Sequence, residues 1–424
     1  MMDLKERDRK YVWHPFTPQR PQPEILPVKK AFDCTLVLED GREVIDAISS
    51  WWVNLHGHGN KYIAEAAAKQ ARELEHVIFA GFTHEPAVQL AERLIGVLPG
   101  DQAKVFYSDN GSTATEVGMK MAFQYFWNKG EQHRRRIISF EGAYHGDTFG
   151  AMSVGDRGPF SQPFFPYLFD VDAIPYPESG KEYRTIEQFR EVAERGDVAA
   201  FIYEPLVQGS GGMRMYSPKV LDELLSVAKE HGILCIADEV MTGFGRTGNL
   251  FASEYMEHKP DIMCLSKGLT GGTLALGVTT CVEKVYEAYL QEDIMKTFFH
   301  GHSFTANPIA CAVANASLDM LLSLECQDSI QEIVKRHEVF AEKAQSFAFA
   351  KNIRQRGTIL ALEYDAGEQA SYFNKSRNYL YESFLKKGIL LRPLGNVVYI
   401  LPPYVISEKE LNAVYAAIED VFNQ

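Results

Sequence analysis

The chain has 424 residues, 46% of them hydrophobic, so it can fill the core of one large α/β unit or of two domains, and overall disorder is excluded. Its 56 acidic against 43 basic residues leave a net charge of -13, which gives no electrostatic footprint for nucleic acid or an anionic membrane. Six cysteines without a CxxC pair, several inside apolar runs such as "ILCIA" and "IMCLS", suit buried thiols in a reducing compartment.

In chain order, the start "MMDLKERDRK" is densely charged and has no apolar run behind it, which argues against a secretory signal. No run approaches the roughly 20 apolar residues of a membrane helix, so a cytoplasmic protein without a membrane partner is expected. Residues 15–27, "PFTPQRPQPEILP", are proline-rich and read as an extended arm, with a PxxP ligand as the lesser reading. After the strand "LVLEDGREVIDA", the stretch "SSWWVNLHGHG" sets two indoles beside loop-forming residues; alone it reads as core aromatics before a turn. "YIAEAAAKQARELE" and "EPAVQLAERLIGVLPG" have helical spacing, the second with Pro86 at its start and Pro-Gly at its end.

From about residue 100 the texture changes. "KVFYSDNGS", "RIISFEGAYHG", "AAFIYEP", "ILCIADE" and "DIMCLSKG" are short apolar runs that end in a polar residue and alternate with helical stretches. The pattern predicts a mostly parallel sheet buried on both faces, with ligands outside the carboxyl ends of its strands. Glu204, Asp238 and Lys267 close three such runs and could converge on one pocket. The basic cluster "HRRR" reads as a solvated loop before "IISF". Beyond about residue 320, "IQEIVKRHEVFAEKA", "IRQRGTILALEY", "YLYESFLKKG" and "ILLRPLGNVVYILPP" mix helices and strands into a smaller α+β domain, shared with the N-terminal arm. The expected organisation is residues 1–54 as arm and part of the small domain, 55–319 as the large domain, and 320–424 as the C-terminal small domain.

Several motifs carry competing readings. "GFGRTG", Gly243 to Gly248, matches the dinucleotide fingerprint, but residues intervene between the strand end and its first glycine, and Asp261 begins a strand where the fingerprint needs one to end. "GHSFT" lacks the closing glycine of a hydrolase elbow, and His56-Gly57-His58 has no third ligand cluster, so no metal is expected. "SDNGSTATEVGMK" places Gly111 and Ser112 at a strand-to-helix turn, an anion site or an ordinary N-cap. Lys267 closes an apolar run, and burial would depress its pKa as a Schiff-base lysine requires. Asp238 could keep a pyridine nitrogen protonated. Anion site, buried lysine and strand-end carboxylate together are what pyridoxal 5'-phosphate demands, against a bare structural Lys-Asp pair.

"LCIADEVMTGFGRTG" followed by "DIMCLSKGLTGG" resembles the signature of the class III aminotransferases of fold type I. "SSWW", "GSTATEVGMKMAFQY", "AYHGDTFGAMSVG", "EPLVQGSGGMRMY" and "RPLGNVVYILPPY" extend the resemblance from about residue 11 to the C-terminus. It implies an α/β fold type I PLP-dependent transferase, with a mostly parallel sheet between helices in a large PLP-binding domain, and a homodimer with active sites at the subunit interface. It implies that Lys267 binds the cofactor covalently and carries the proton, that Asp238 pairs with the ring nitrogen, and that Tyr144 stacks on the ring and borders the substrate. Gly111 and Ser112 would hold the phosphate from one subunit, and His302 and Ser303 from the other. Phe16, Trp51, Trp52, Gly301 and Arg392 would line the substrate channel, Arg392 meeting a carboxylate; Glu204 and Arg246 lie in matching motifs without an assigned role. The implied reaction is ping-pong amination of 8-amino-7-oxononanoate in biotin biosynthesis, with S-adenosyl-L-methionine as donor. Lysine as donor and a different ω-amine substrate are the alternatives. The chain departs from the family pattern at Phe16, where a tyrosine is common, at His302-Ser303, where Pro-Thr is, and at Leu394, where a phenylalanine is.

Overall fold

The computed structural model describes residues 2–365, 367, 374 and 376–424. Its centre is a seven-stranded sheet in the order Gln102–Ser108, Gly277–Val282, Ile262–Leu265, Leu234–Asp238, Val198–Tyr203, Arg136–Phe140 and Asp172–Ile174. The five strands from Ile262–Leu265 to Asp172–Ile174 run parallel. Val198–Tyr203, Leu234–Asp238 and Ile262–Leu265 are buried at every position, which is why their sequences read as unbroken apolar runs.

Gly277–Val282 is the exception in this mostly parallel sheet, pairing antiparallel with both neighbours. Only a short link separates it from Ile262–Leu265, too short for the helical crossover that a parallel return needs. Its two threonines are buried and hydrogen-bonded: Thr279 Oγ1 donates to the Ala114 carbonyl at 2.7 Å and Thr280 Oγ1 to Gln102 Oε1 at 2.7 Å. The helix Gly111–Asn128 lies across the sheet at Gly118, where a Cβ would come within 3.1 Å of Cys264 Sγ. A small residue is therefore required for this helix to approach the sheet.

Two smaller sheets flank this body. Val28–Phe32, Thr35–Leu38 and Glu43–Asp46 form an antiparallel meander, to which Ile389–Leu390 adds in parallel, Leu390 opposite Asp46. Ala350–Arg356, Ile359–Tyr364 and Val397–Ile400 make the other. The proline-rich arm follows a helix, Leu4–Tyr11, that buries nothing and is held by an Asp3–Glu6 capping box. All six cysteines are free thiols. No single helix among the described residues is long and apolar enough to cross a membrane.

Two buried histidines make the fold acid-sensitive. His337 projects from the helix Leu324–Ala344, and its Nε2–H donates to the Thr358 carbonyl at 3.1 Å while its Nδ1 faces Tyr415 Oη at 2.6 Å. His56 contacts Ser317 Oγ at 3.1 Å. Burial pushes both down to about 4. Because the folded pKa lies below the unfolded one, this stability is complete above pH 6.5 and is lost as pH falls toward 4. Each ring should cost about 2 kcal/mol by pH 5. The urea midpoint should fall from pH 7 to pH 5, and His337→Gln should flatten that fall; an equally steep fall in the variant would refute the assignment.

Candidate active site

The carboxyl ends of the parallel strands open into a cleft of about 1520 Å³. Lys267 enters it from the residue pair following Ile262–Leu265, with a left-handed φ of +47° that a non-glycine residue adopts only when its surroundings over-determine it. The residue is partly buried, and its Nζ stands 5.0 Å from the Trp52 ring and donates no hydrogen bond among the described residues. Burial pushes the ammonium below its ordinary range, while Asp238 and Glu204 oppose the shift. A larger neutral fraction makes this lysine a better base than a solvated one.

Asp238 ends Leu234–Asp238 in the same cleft. Its Oδ1 accepts from the Val240 amide at 3.1 Å, and its Oδ2 accepts from His145 Nδ1 at 2.7 Å, which fixes the His145 tautomer. His145 Nε2 is buried without a partner among the described residues. Glu204, one residue beyond Val198–Tyr203, accepts from the Tyr144 amide at 3.0 Å and the Gly209 amide at 2.9 Å. Burial nevertheless pushes it up to about 7. Tyr144 donates its hydroxyl to Asp147 Oδ2 at 3.0 Å, and burial raises its own pKa.

At the rim of the cleft, Asn110 caps the helix Gly111–Asn128 by accepting from the Thr113 amide at 3.0 Å, while Thr113 Oγ1 accepts from the Asn110 amide at 3.0 Å. The amides of Gly111 and Ser112 remain without partners among the described residues, at the positive end of an 18-residue helix. Gly146 closes over Ser112 so tightly that a Cβ would fall 2.1 Å from Ser112 Oγ. Unpaired amides for a phosphate, a buried carboxylate for a pyridine nitrogen and a desolvated lysine for an aldehyde together fit pyridoxal phosphate.

The same cleft carries the paired indoles. Trp51 is 43% exposed in the cleft, with the Arg392 guanidinium 4.3 Å over its ring and Phe16 edge-on at 5.7 Å. Trp52 turns the other way: it is buried, and its Nε1–H donates to Tyr399 Oη at 2.9 Å. Phe16, Trp51, Trp52 and Arg392 thus line one cleft with Gly111, Ser112, Tyr144, Asp238 and Lys267.

Gly301, His302 and Ser303 do not line it. They follow a run of hydrogen bonds outside the sheet: Lys120 Nζ to His300 at 2.8 Å, His300 to His302 at 3.0 Å, and His302 to Asp109 at 3.1 Å. Arg246 is also outside. It is buried and ties two loops, donating to the Pro402 carbonyl at 2.8 Å and the Asn54 carbonyl at 2.9 Å. Gly243 to Gly248 therefore serves packing, and Asp261 accepts from the Cys235 amide at 2.8 Å at the start of its strand. His56 and His58 are engaged by Ser317 and Asp46. Sequence reasoning gave no role to His145, Asp147 or Tyr399. His145 had a signal, since it follows the carboxyl end of Arg136–Phe140 by five residues.

Residues 16–422 match the family profile described as "Aminotransferase class-III". The chain is 48% identical over 422 residues to the adenosylmethionine-8-amino-7-oxononanoate aminotransferase of Synechococcus elongatus, covering 98% of this chain and 99% of that one. The crystal structure of the enzyme of that name from Methanocaldococcus jannaschii superposes with a TM-score of 0.93 at 34% identity, covering 98% of each chain. An omega transaminase from Pseudomonas jessenii in complex with PMP superposes at 0.92 with 26% identity, covering 99% of this chain and 98% of that one.

Proposed function

The chain belongs to the class-III aminotransferases, and from that premise we propose that it aminates 8-amino-7-oxononanoate to 7,8-diaminononanoate in biotin biosynthesis, with S-adenosyl-L-methionine as the amino donor. The observation that carries this reading is the Phe16–Trp51–Arg392 wall lining the same cleft as Lys267. The names of the full-length relatives support it.

Pyridoxal phosphate, when bound, supplies an electron sink conjugated to the amine being transferred. Gly111 and Ser112 would hold its phosphate on their free amides, and Asp238, oriented by His145 and the Val240 amide, would keep a proton on its ring nitrogen. Lys267 would attach the aldehyde and then move the proton at the substrate α-carbon, its neutral amine favoured by burial. Tyr144, fixed by Asp147, would border the ring. Glu204 holds the Tyr144 and Gly209 amides and so keeps this side of the cleft in register.

Two unlike substrates must use the site in turn. The Trp51 face can cover adenine, a sulfonium or methylenes, and Arg392 can leave it to fork a carboxylate. Arg392→Ala should therefore raise KM for 8-amino-7-oxononanoate by roughly ten- to a hundredfold, the worth of about 1.5–3 kcal/mol for a charged hydrogen bond. Unchanged steady-state kinetics for both substrates would remove Arg392 from the pocket.

The protein works as a cytoplasmic homodimer in this proposal, with His302 and Ser303 reaching the phosphate of the partner's site. Their position outside their own cleft supports the dimer, as do the exposed side chains of Phe82, Phe299 and Phe304. The deciding experiment offers purified holoenzyme 8-amino-7-oxononanoate with S-adenosylmethionine or with lysine, and separately offers 2-oxoglutarate with ω-amines. Turnover with S-adenosylmethionine supports the proposal. Turnover with lysine alone would reassign the donor, to which Phe16, lacking a hydroxyl, points; turnover of 2-oxoglutarate alone would overturn the substrate.

A further inference from the structure

The turn that presents the two indoles is strained. Ser49, Ser50 and Trp52 have φ of +53°, +59° and +64°, and Ser50 combines its φ with a ψ of -88°. Each such residue costs about 1–3 kcal/mol and persists only where its surroundings hold it. Relaxing the turn would carry Trp51 off Arg392 and Trp52 off Lys267.

One buried group does most of the holding. Asp46, the last residue of Glu43–Asp46, has no solvent exposure and does not line the cleft. Its Oδ1 accepts from the Ile48 amide at 3.2 Å; its Oδ2 accepts from the Ser50 amide at 2.7 Å, Ser50 Oγ at 3.0 Å and His58 Nε2–H at 3.0 Å. His58 Nδ1 in turn accepts from Asn54 Nδ2 at 3.3 Å. All the donors point at the carboxylate, so an amide in its place would turn an N–H toward another N–H. The strand also carries the register: Leu390 lies opposite Asp46 and leads two residues later to Arg392. Ser49 Oγ adds a bond to the Leu401 carbonyl at 2.8 Å.

We propose that Asp46 is the positioning residue of the substrate wall, holding the left-handed turn Ser49–Trp52 so that Trp51 meets Arg392 above the cleft. The proposal rests on the reading of Trp51 as part of that wall. Its test is a double-mutant cycle on full-length holoenzyme, with kcat and KM measured for both substrates and melting followed in parallel. Asp46→Asn should lower kcat/KM roughly ten- to a hundredfold, mostly through KM, as expected for a small displacement of a positioning group. In the Trp51→Ala background it should add less than about twofold, because the group it positions is gone. Ser50→Ala, which removes one of the four bonds, should move KM in the same direction by a few-fold and lose that effect with Trp51→Ala. It also stands in if Asp46→Asn does not fold. If Trp51→Ala leaves KM unchanged, the wall reading itself fails. If Trp51→Ala raises KM but the Asp46 and Ser50 effects are undiminished beside it, Asp46 is merely structural and the proposal is overturned.

Discussion

Lys267→Ala is expected to lower turnover by at least roughly 10²–10⁴-fold, the usual worth of one positioned proton-transfer group, with covalent attachment of the cofactor lost as well. The side chain is partly buried, stands 5.0 Å from the Trp52 ring, and donates no hydrogen bond among the described residues. Truncation removes a desolvated cation and breaks no polar contact in the described residues, so the melting temperature should hold or rise. Alanine meets the same positive φ that lysine does, so the backbone cost does not change. Steady-state kinetics and a thermal melt on one preparation check both halves. Activity within tenfold of the parent would refute the role; inactivity with collapse of the fold would refute the packing argument.

The second large effect is expected at Asp238. Asp238→Asn preserves shape and can still accept from the Val240 amide, though its amide N–H then faces His145, and it removes the charge proposed to stand opposite a bound ring nitrogen. An adjacent opposite charge shifts a pKa by about 1–3 units, so proton occupancy and kcat should fall roughly ten- to a thousandfold. KM should change less, because Trp51 and Arg392 remain in place. The pH profile separates this from a folding defect: the variant should recover part of its rate at lower pH, where protonation no longer needs the carboxylate. A variant with parental kcat at pH 8 would exclude the assignment.

What the sequence made legible, and what it hid, follows from the range of the interactions. Glu204, Asp238 and Lys267 were readable as strand-end residues because burial on both faces leaves its mark in consecutive letters. The parallel order fixes that such ends share one side of the sheet. Gly277–Val282 was not, since a six-residue run with two threonines has no periodicity that tells its direction. Ile389–Leu390 is two residues long and acquires meaning only beside Glu43–Asp46. The same limit applies to the indoles. Their adjacency was visible, but their opposite fates, Trp51 in the cleft and Trp52 beneath Lys267, depend on backbone angles that serine and tryptophan do not advertise. Asp46 was hidden because two of its partners are backbone amides, which no motif records, and the others are Ser50 Oγ and His58, which only the folded turn brings to it.

The pairing of Ile389–Leu390 with Glu43–Asp46 also sets an order of events during synthesis. The central sheet, Lys267, Asp238 and the Gly111–Ser112 turn are all encoded before residue 283, whereas Leu390, Arg392, Tyr399 and Leu401 emerge about 110–120 residues later. At roughly 5–20 residues per second that interval is on the order of 5–25 s. A nascent chain therefore owns the groups that would grip a phosphate and a pyridine, together with Phe16 and Trp51, well before it owns the arginine proposed to complete the wall. A product that stops before Leu390 therefore has Trp51 but neither its Arg392 partner nor the strand that pairs with Asp46.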